Sequence, residues 1–428
     1  MIETKNIADK RPSRVLAIIL MFALFFMIAF VTAYQTPLGR VIKNLSNGDT
    51  LMSQLGMFAN FIGYAVMGYP AGVILQRHGY RITALVAVTV GFFGVLITFL
   101  SGNIASQSVF LYLIGAFVAG FSMCMLNAVV NPMLNGLGKN QNQGNQLVQL
   151  GGACNSLSAT LTPVVVGYLM GGASASSIAD ANQIFFLVMV IFAVAFLILL
   201  FSRLPEDEDL GDKEDSIDVM LVFRNRNFTL GILAIFIYVG IEVGISYVLF
   251  QYMTEGLSIS ESVAGTLTGT YWLMMFVGRL CGGAIGAKVS SRAMLIFVSI
   301  MAMAFVATAI LLPQSMQVDM PLLENFGAIT FVKQVVPVSI LLLVLCGLFT
   351  SVMWGTIFNL SVAGLGKYVR ISSGIFMVMV CGGGIIPLMQ STIAEQFSYI
   401  SSFWLIFALL GYILFYALYG SRVKNLME

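Results

Sequence analysis

Glu242 lies near the middle of a long apolar run from Phe228 to Tyr252, within the stretch Tyr238-Val239-Gly240-Ile241-Glu242-Val243-Gly244. A charge at the centre of a bilayer costs at least ~2.5–3.5 kcal/mol on insertion scales, so a residue kept there is expected to have a function. Every other acidic residue falls in a predicted tail, loop or span end, which leaves Glu242 as the single carboxylate at mid-membrane. Tyr238 stands one helical turn before it and Ser246 one turn after, so one helical face offers hydroxyl, carboxyl and hydroxyl. A carboxyl whose hydration changes as the protein changes shape can load a proton from one side and release it to the other. The structural alternative is a permanently neutral Glu bonding a neighbouring helix, a task that Gln would perform without the cost of a charge.

The other polar residues at membrane depth are amides and aromatics. Asn127 and Asn131 share a helical face, and Gln149, Asn155 and Ser156 follow in the next apolar segment. Amides donate and accept at once, which suits a hydroxyl-rich ligand; bonding between helices is the competing use, and for Asn131, low in its span beside Pro132, packing or gating is the stronger expectation. Tyr64, Tyr247, Tyr271, Trp272 and Trp354 fall near mid-membrane. A flat aromatic wall beside convergent polar groups fits a small ligand with an apolar face and polar edges. Trp354 is the best candidate, because tryptophans otherwise gather at the interface belts.

Several chemistries are excluded by residue type. The chain has one histidine, His78, and five cysteines, all in apolar runs without metal-ligand spacing, so neither a metal site nor a disulfide framework is expected. No paired carboxylates or nucleophile constellation suggest an enzyme, no cofactor is implied, and nothing suggests nucleic acid as a partner.

The elements that must position these residues are membrane spans. Of 428 residues, 59% are hydrophobic and only 9% charged, with net charge +2; a soluble domain carries about 25% charged residues. Spans need about 20 apolar residues, and twelve such windows occur: 15–37, 51–76, 81–101, 108–136, 145–171, 184–202, 228–253, 262–287, 293–312, 336–363, 372–397 and 402–420. The first is longer than the apolar core of a signal peptide and is expected to be retained. With the N-terminus inside, the inner segments hold most of the Lys and Arg, while the outer ones hold only Arg40, Lys43 and Lys333. This asymmetry predicts both termini in the cytoplasm. An acidic run from Pro205 to Asp215 divides the chain, giving six-span halves over 1–202 and 228–428 joined by a cytoplasmic linker over 203–227.

The halves repeat each other. Gly72-x4-Arg77-x3-Arg81 at the inner end of span two recurs as Gly283-x4-Lys288-x3-Arg292 after span eight. Asn131-x4-Gly136-Leu137-Gly138 recurs as Asn359-x4-Gly364-Leu365-Gly366. Internal repeats of this kind mark transporters that rock two bundles around a central site. The glycine and basic turn resembles the loop signature of the major facilitator superfamily. Asn131-Pro132, Asn155-Ser156, Tyr238 to Val243, Gly278-Arg279, Thr356 to Leu360 and Gly382-Gly383-Gly384-Ile385 resemble its fucose–galactose–glucose proton symporter branch. Two acids of the fucose permease type are absent: span one has Tyr34-Gln35-Thr36, and span four has Asn127.

The resemblance implies an all-α protein of twelve transmembrane helices in two pseudo-symmetric six-helix bundles. By residue type and depth, Glu242 is expected to couple the proton, and Asn127, Asn131, Gln149, Asn155, Tyr238, Ser246, Tyr247, Tyr271, Trp354 and Asn359 to contact substrate; the resemblance implies that Arg77, Arg81, Lys288 and Arg292 form an inner gate. Arg279, about two turns from the inner end of its span, is expected to snorkel or to cap a neighbouring helix. The three consecutive glycines are expected to serve close packing. The function expected is inward symport of a monosaccharide or related polyol with a proton, by a monomer in a bacterial-type inner membrane. An uncoupled sugar facilitator is the alternative, and a multidrug exporter a more distant one.

Overall fold

A computed structural model describes residues 14–46, 50–104, 108–170, 177–202, 204–205, 219–325 and 330–423. The acidic run between the halves lies outside the described residues, apart from its first residue, Pro205.

Long apolar segments without water must satisfy their backbone internally, and helices do so. In the first half these are α1 (Arg14–Ala33), α2 (Gln35–Leu45), α3 (Thr50–Asn103), α4 (Val109–Gly136), α5 (Gln141–Leu169) and α6 (Asn182–Phe201). A short helix, α7 (Val219–Arg224), occupies the end of the expected linker. The second half holds α8 (Arg226–Gln251), α9 (Glu261–Gly286), α10 (Ser291–Leu311), α11 (Val338–Leu345), α12 (Gly347–Thr350), α13 (Met353–Val362), α14 (Val369–Val378), α15 (Gly382–Gln396) and α16 (Tyr399–Phe415). Helix α3 turns back at Gly79, whose φ of 76° a side chain would resist, and so supplies two crossings. Helices α11 to α13 together make one crossing, as do α14 and α15.

Among the described residues nine stretches are long and apolar enough to cross a membrane. Counting α3 twice and adding α5 and α9, which are not among the nine, gives the twelve expected. Helices α5 and α9 are the polar pair, rich in Asn, Gln, Ser, Thr and Gly, and they pack against each other across the halves. Their polarity is tolerated because each faces the other rather than lipid.

One element differs from the helical expectation. Strands β1 (Gln317–Asn325) and β2 (Thr330–Pro337) form an antiparallel hairpin between α10 and α11, pairing Gln317 with Pro337 and Met320 with Gln334. The alternation in Gln317-Val318-Asp319-Met320 and the β-branched Val335-Val336 have period two, which is strand patterning that a search for apolar spans passes over.

The halves meet closely at the end carrying the turns 77–81 and 286–292, called here the basic end. Helix α3 approaches α14 so nearly that a Cβ on Gly374 would collide with the backbone of Gly72. Helix α5 meets α9 in the equivalent position, with Leu150 against Gly283. Gly72 and Gly283 are the glycines of the repeated motif, so their repetition reflects two pseudo-symmetric contacts between the halves. Among the three consecutive glycines, Gly382 abuts the backbone of Phe236, and Gly383 lies against Phe61 of the first half.

Candidate functional site

Glu242 sits on α8, 8% exposed, where the tyrosine and serine of its own face flank it. Its partner is a buried arginine. Arg279 on α9 is 5% exposed, and its Nη2 lies 3.4 Å from Glu242 Oε1. The guanidinium also donates to the first half, from Nη1 to the Gly152 carbonyl and to the Ser156 hydroxyl, both at 2.8 Å. Its Nε donates to the Ser351 carbonyl of its own half at 3.1 Å. Removing one member of such a buried pair would strand the other charge, so each holds the other in place. Of the two uses expected of Arg279, snorkelling is not seen, since the side chain points inward to buried partners, while the bond to Ser351, the C-cap residue of α12, is the capping contact.

A polar belt runs from this pair into the first half. Tyr238, fully buried, places its hydroxyl beside Glu242 and Arg279. Its ring meets Trp354 edge-on at 6.3 Å between centroids. Trp354 Nε1 donates to Asn131 Oδ1 at 2.9 Å, Asn131 Nδ2 to the Asn127 carbonyl at 2.8 Å, and Asn127 Nδ2 to the Tyr64 hydroxyl at 2.9 Å. Trp354 is half-buried, so part of its ring remains open for contact. Ser246 accepts a bond from Trp272 Nε1 at 3.2 Å. Asn155, half-buried, donates to the Phe25 carbonyl of α1 at 3.1 Å. Gln149 reaches across the halves to the Val352 carbonyl at 2.8 Å.

Three expected substrate residues make their hydrogen bonds outside this belt. Asn359 Nδ2 donates to Ser291 Oγ at 2.7 Å and to the Gln141 carbonyl at 3.2 Å, which places it with the contacts of the basic end. Its position in the repeat is equivalent to that of Asn131, but its partners are different. Tyr271 is fully buried in its own half, its hydroxyl 3.2 Å from Thr350 Oγ1. Tyr247 bonds Gln54 of α3 near the end opposite the basic turns.

The basic turns expected to form the gate bond within their own halves in this conformation. Arg81 donates to the carbonyls of Leu199 and Leu200 at the end of α6, and Arg292 to those of Ala417 and Leu418 at the end of the last span. Each arginine satisfies orphan carbonyls at the C-terminus of its own half's last span. Arg77 and Lys288 are exposed, and among the described residues neither makes a hydrogen bond or ion pair. The contacts that do join the halves at this end are less conspicuous in sequence. Gln146 donates to the Gly283 carbonyl at 3.0 Å, Ser373 to the Ala128 carbonyl at 3.1 Å, and the Arg370 guanidinium stacks 4.8 Å from the Tyr80 ring centre.

Among the described residues no group of His, Cys, Asp or Glu can hold a metal. The arrangement can hold or release one proton at Glu242 beside a fixed positive charge. It can also offer amide and hydroxyl groups next to an aromatic face.

Comparison with known proteins agrees with this architecture. The chain is 30% identical over 411 residues to a glucose/galactose transporter of Brucella abortus biovar 1 (strain 9-941), covering 93% of this chain and 92% of that protein. It is 23% identical over 419 residues to the L-fucose-proton symporter of Escherichia coli (strain K12), covering 90% of each. A crystal structure of the E. coli fucose:proton symporter superposes with a TM-score of 0.79 at 18% identity, over 96% of this chain and 100% of that one. With residues 15–386 matching the model of that family, and with its repeated halves meeting around a central charged pair, the chain belongs to the major facilitator superfamily.

Proposed function

We propose that this protein carries a monosaccharide, hexose or deoxyhexose, or a related polyol, in symport with a proton. The observation that carries the reading is the buried Glu242–Arg279 pair at the plane where the halves meet, beside an amide and aromatic set suited to a sugar. Relatives named as glucose/galactose and fucose-proton carriers support it. Glu242 is the proton carrier, and Asn127, Asn155, Tyr238, Ser246 and Trp354 are the nearest candidates to meet the sugar. Residues 1–202 and 228–428 move as two bodies by alternating access, linked by 203–227. The basic end is cytoplasmic, with both termini there, in a bacterial inner membrane. The inner gate is made by the Gln146, Ser373 and Arg370 contacts, and the carrier works as a monomer.

The test is sugar-evoked pH change in proteoliposomes across a panel of sugars, with Glu242→Gln beside the parent. Gln mimics the protonated carboxyl, so sugar-for-sugar exchange is expected to persist while accumulation against a gradient is lost. Concentrative uptake retained in Glu242→Gln would sink the assignment of the proton. A parent that exchanges sugar but accumulates none at any pH favours the uncoupled facilitator, a reading suggested by the absence of an acid from Tyr34-Gln35-Thr36 in span one and by Asn127 in span four.

A further inference from the structure

Arg279 is tied to both halves at once. Two of its donors, both on Nη1, go to Gly152 and Ser156 of α5, and a third, on Nε, goes to Ser351. Only Nη2 is left for Glu242, at 3.4 Å. Guanidinium–carboxylate bonds usually measure about 2.7–2.9 Å and are often bidentate, so this one is long and single. The planar fork has its Nη1 and Nε donors on acceptors of α5 and of α12's C-terminal flank, which leaves Nη2 alone toward the carboxylate. The titratable groups facing Glu242 are Tyr238 on its own helix and Arg279 and Tyr271 on α9. Of these, Arg279 alone is bonded to the opposite half.

We propose that Arg279 is a positioning residue that makes the proton affinity of Glu242 depend on closure of the basic end, with Ser156 and the Gly152 carbonyl as the levers. The inference rests on the reading of Glu242 as proton carrier. With the basic end closed, as here, α5 draws the guanidinium back and Glu242 keeps a weak counter-charge, which favours taking a proton from the opposite side. When the halves part at the basic end, Gly152 and Ser156 withdraw with α5. The freed Nη1 hydrogens then turn to Glu242, the carboxylate gains a second bond, and the proton leaves to water on the basic side. One proton enters from one side and leaves to the other, the order that inward symport requires.

The test varies Ser156 in otherwise intact protein. Ser156→Ala removes one lever, and Ser156→Cys keeps the volume while offering only a weak acceptor. Both free a donor of Arg279 for Glu242 in the closed form. Each is expected to move the half-maximal pH of sugar-evoked proton uptake about one unit toward acid, whereas Ser156→Thr, which keeps the hydroxyl, follows the parent. Counterflow in the same vesicles identifies folded carrier. The carboxyl stretch in infrared difference spectra of purified protein, assigned with Glu242→Gln, reads the same shift without transport. Ala and Cys variants that count as folded and superimpose on the parent in both measurements would overturn the proposal. That outcome, with Glu242→Gln uncoupled, leaves the proton-carrier reading standing; accumulation retained in Glu242→Gln removes both.

Discussion

Asn127 illustrates how one side chain can serve two duties in a carrier. In this conformation its amide nitrogen bonds Tyr64 and the Met123 carbonyl, yet it lies one bond away from the Asn131–Trp354 contact that crosses the halves. A sugar hydroxyl reaching this belt must be matched by such amides, because a buried unpaired hydroxyl costs about 1–3 kcal/mol. Asn127→Ala and Asn155→Ala are each expected to weaken sugar binding by about 5- to 150-fold. Ligand-induced tryptophan fluorescence or calorimetry on purified protein measures this directly, and unchanged affinity in both variants would move the site elsewhere. Trp354 adds a built-in reporter: its indole NH bonds Asn131, so its emission should respond to sugar in the parent and lose that response in Trp354→Phe.

Helices α3 and α14 show how an element's composition sets a conformational equilibrium. Their approach depends on Gly72 and Gly374, which let backbone meet backbone. Gly374→Leu is expected to hold the basic end apart. A cysteine introduced at Gln146, whose side chain bonds the Gly283 carbonyl in the closed form, should then label faster than it does with Gly374 in place. Equal labelling would mean that the α3–α14 contact does not govern closure. The ends of α6 and α16 make a different prediction. Arg292 donates to Ala417 and Leu418 within its own half, and hydrogen bonds from a charged group contribute about 1.5–3 kcal/mol. Arg292→Ala is expected to lower thermal stability in detergent while leaving the labelling at position 146 as in the parent.

Across the whole molecule the interest lies in how a proton gradient becomes a sugar gradient. Moving one charge through 100 mV supplies about 2.3 kcal/mol, enough for roughly fifty-fold accumulation if none is wasted. That coupling requires closure to alternate between the two ends. The contacts described at the basic end include Gly72 with Gly374, Gln146 with Gly283, Ser373 with Ala128, and Arg370 with Tyr80. Toward the other end, Gln54 meets Tyr247. Neutralising Arg77 together with Lys288, both exposed, is expected to leave cysteine accessibility at the basic end unchanged, whereas Arg370→Ala should raise it. A double variant at Arg77 and Lys288 that labels faster than the parent would restore the basic turns to the gate.

Residue order alone determined that this chain spans a membrane, that its halves repeat, and that Glu242 is its one mid-membrane acid. Those conclusions depend on counts along the chain: apolar length against bilayer thickness, motif spacing, and the cost of a charge in hydrocarbon. The β hairpin was also legible in principle, through its period-two pattern, but a search for spans does not look for strands. The partner of Glu242 was only half legible. An acid at that depth calls for a cation, and Arg279 lies within a span, yet its place along α9 suggests the span end. Only the tertiary structure decided that it points inward, because the acceptors that hold it come from Gly152, Ser156 and Ser351, brought together from both halves. The same holds for Arg81 and Arg292, whose repeated spacing shows equivalence without showing a partner. Spacing along a helix reports which residues share a face; which helix that face meets is set by packing over long sequence separations, and no local pattern encodes it.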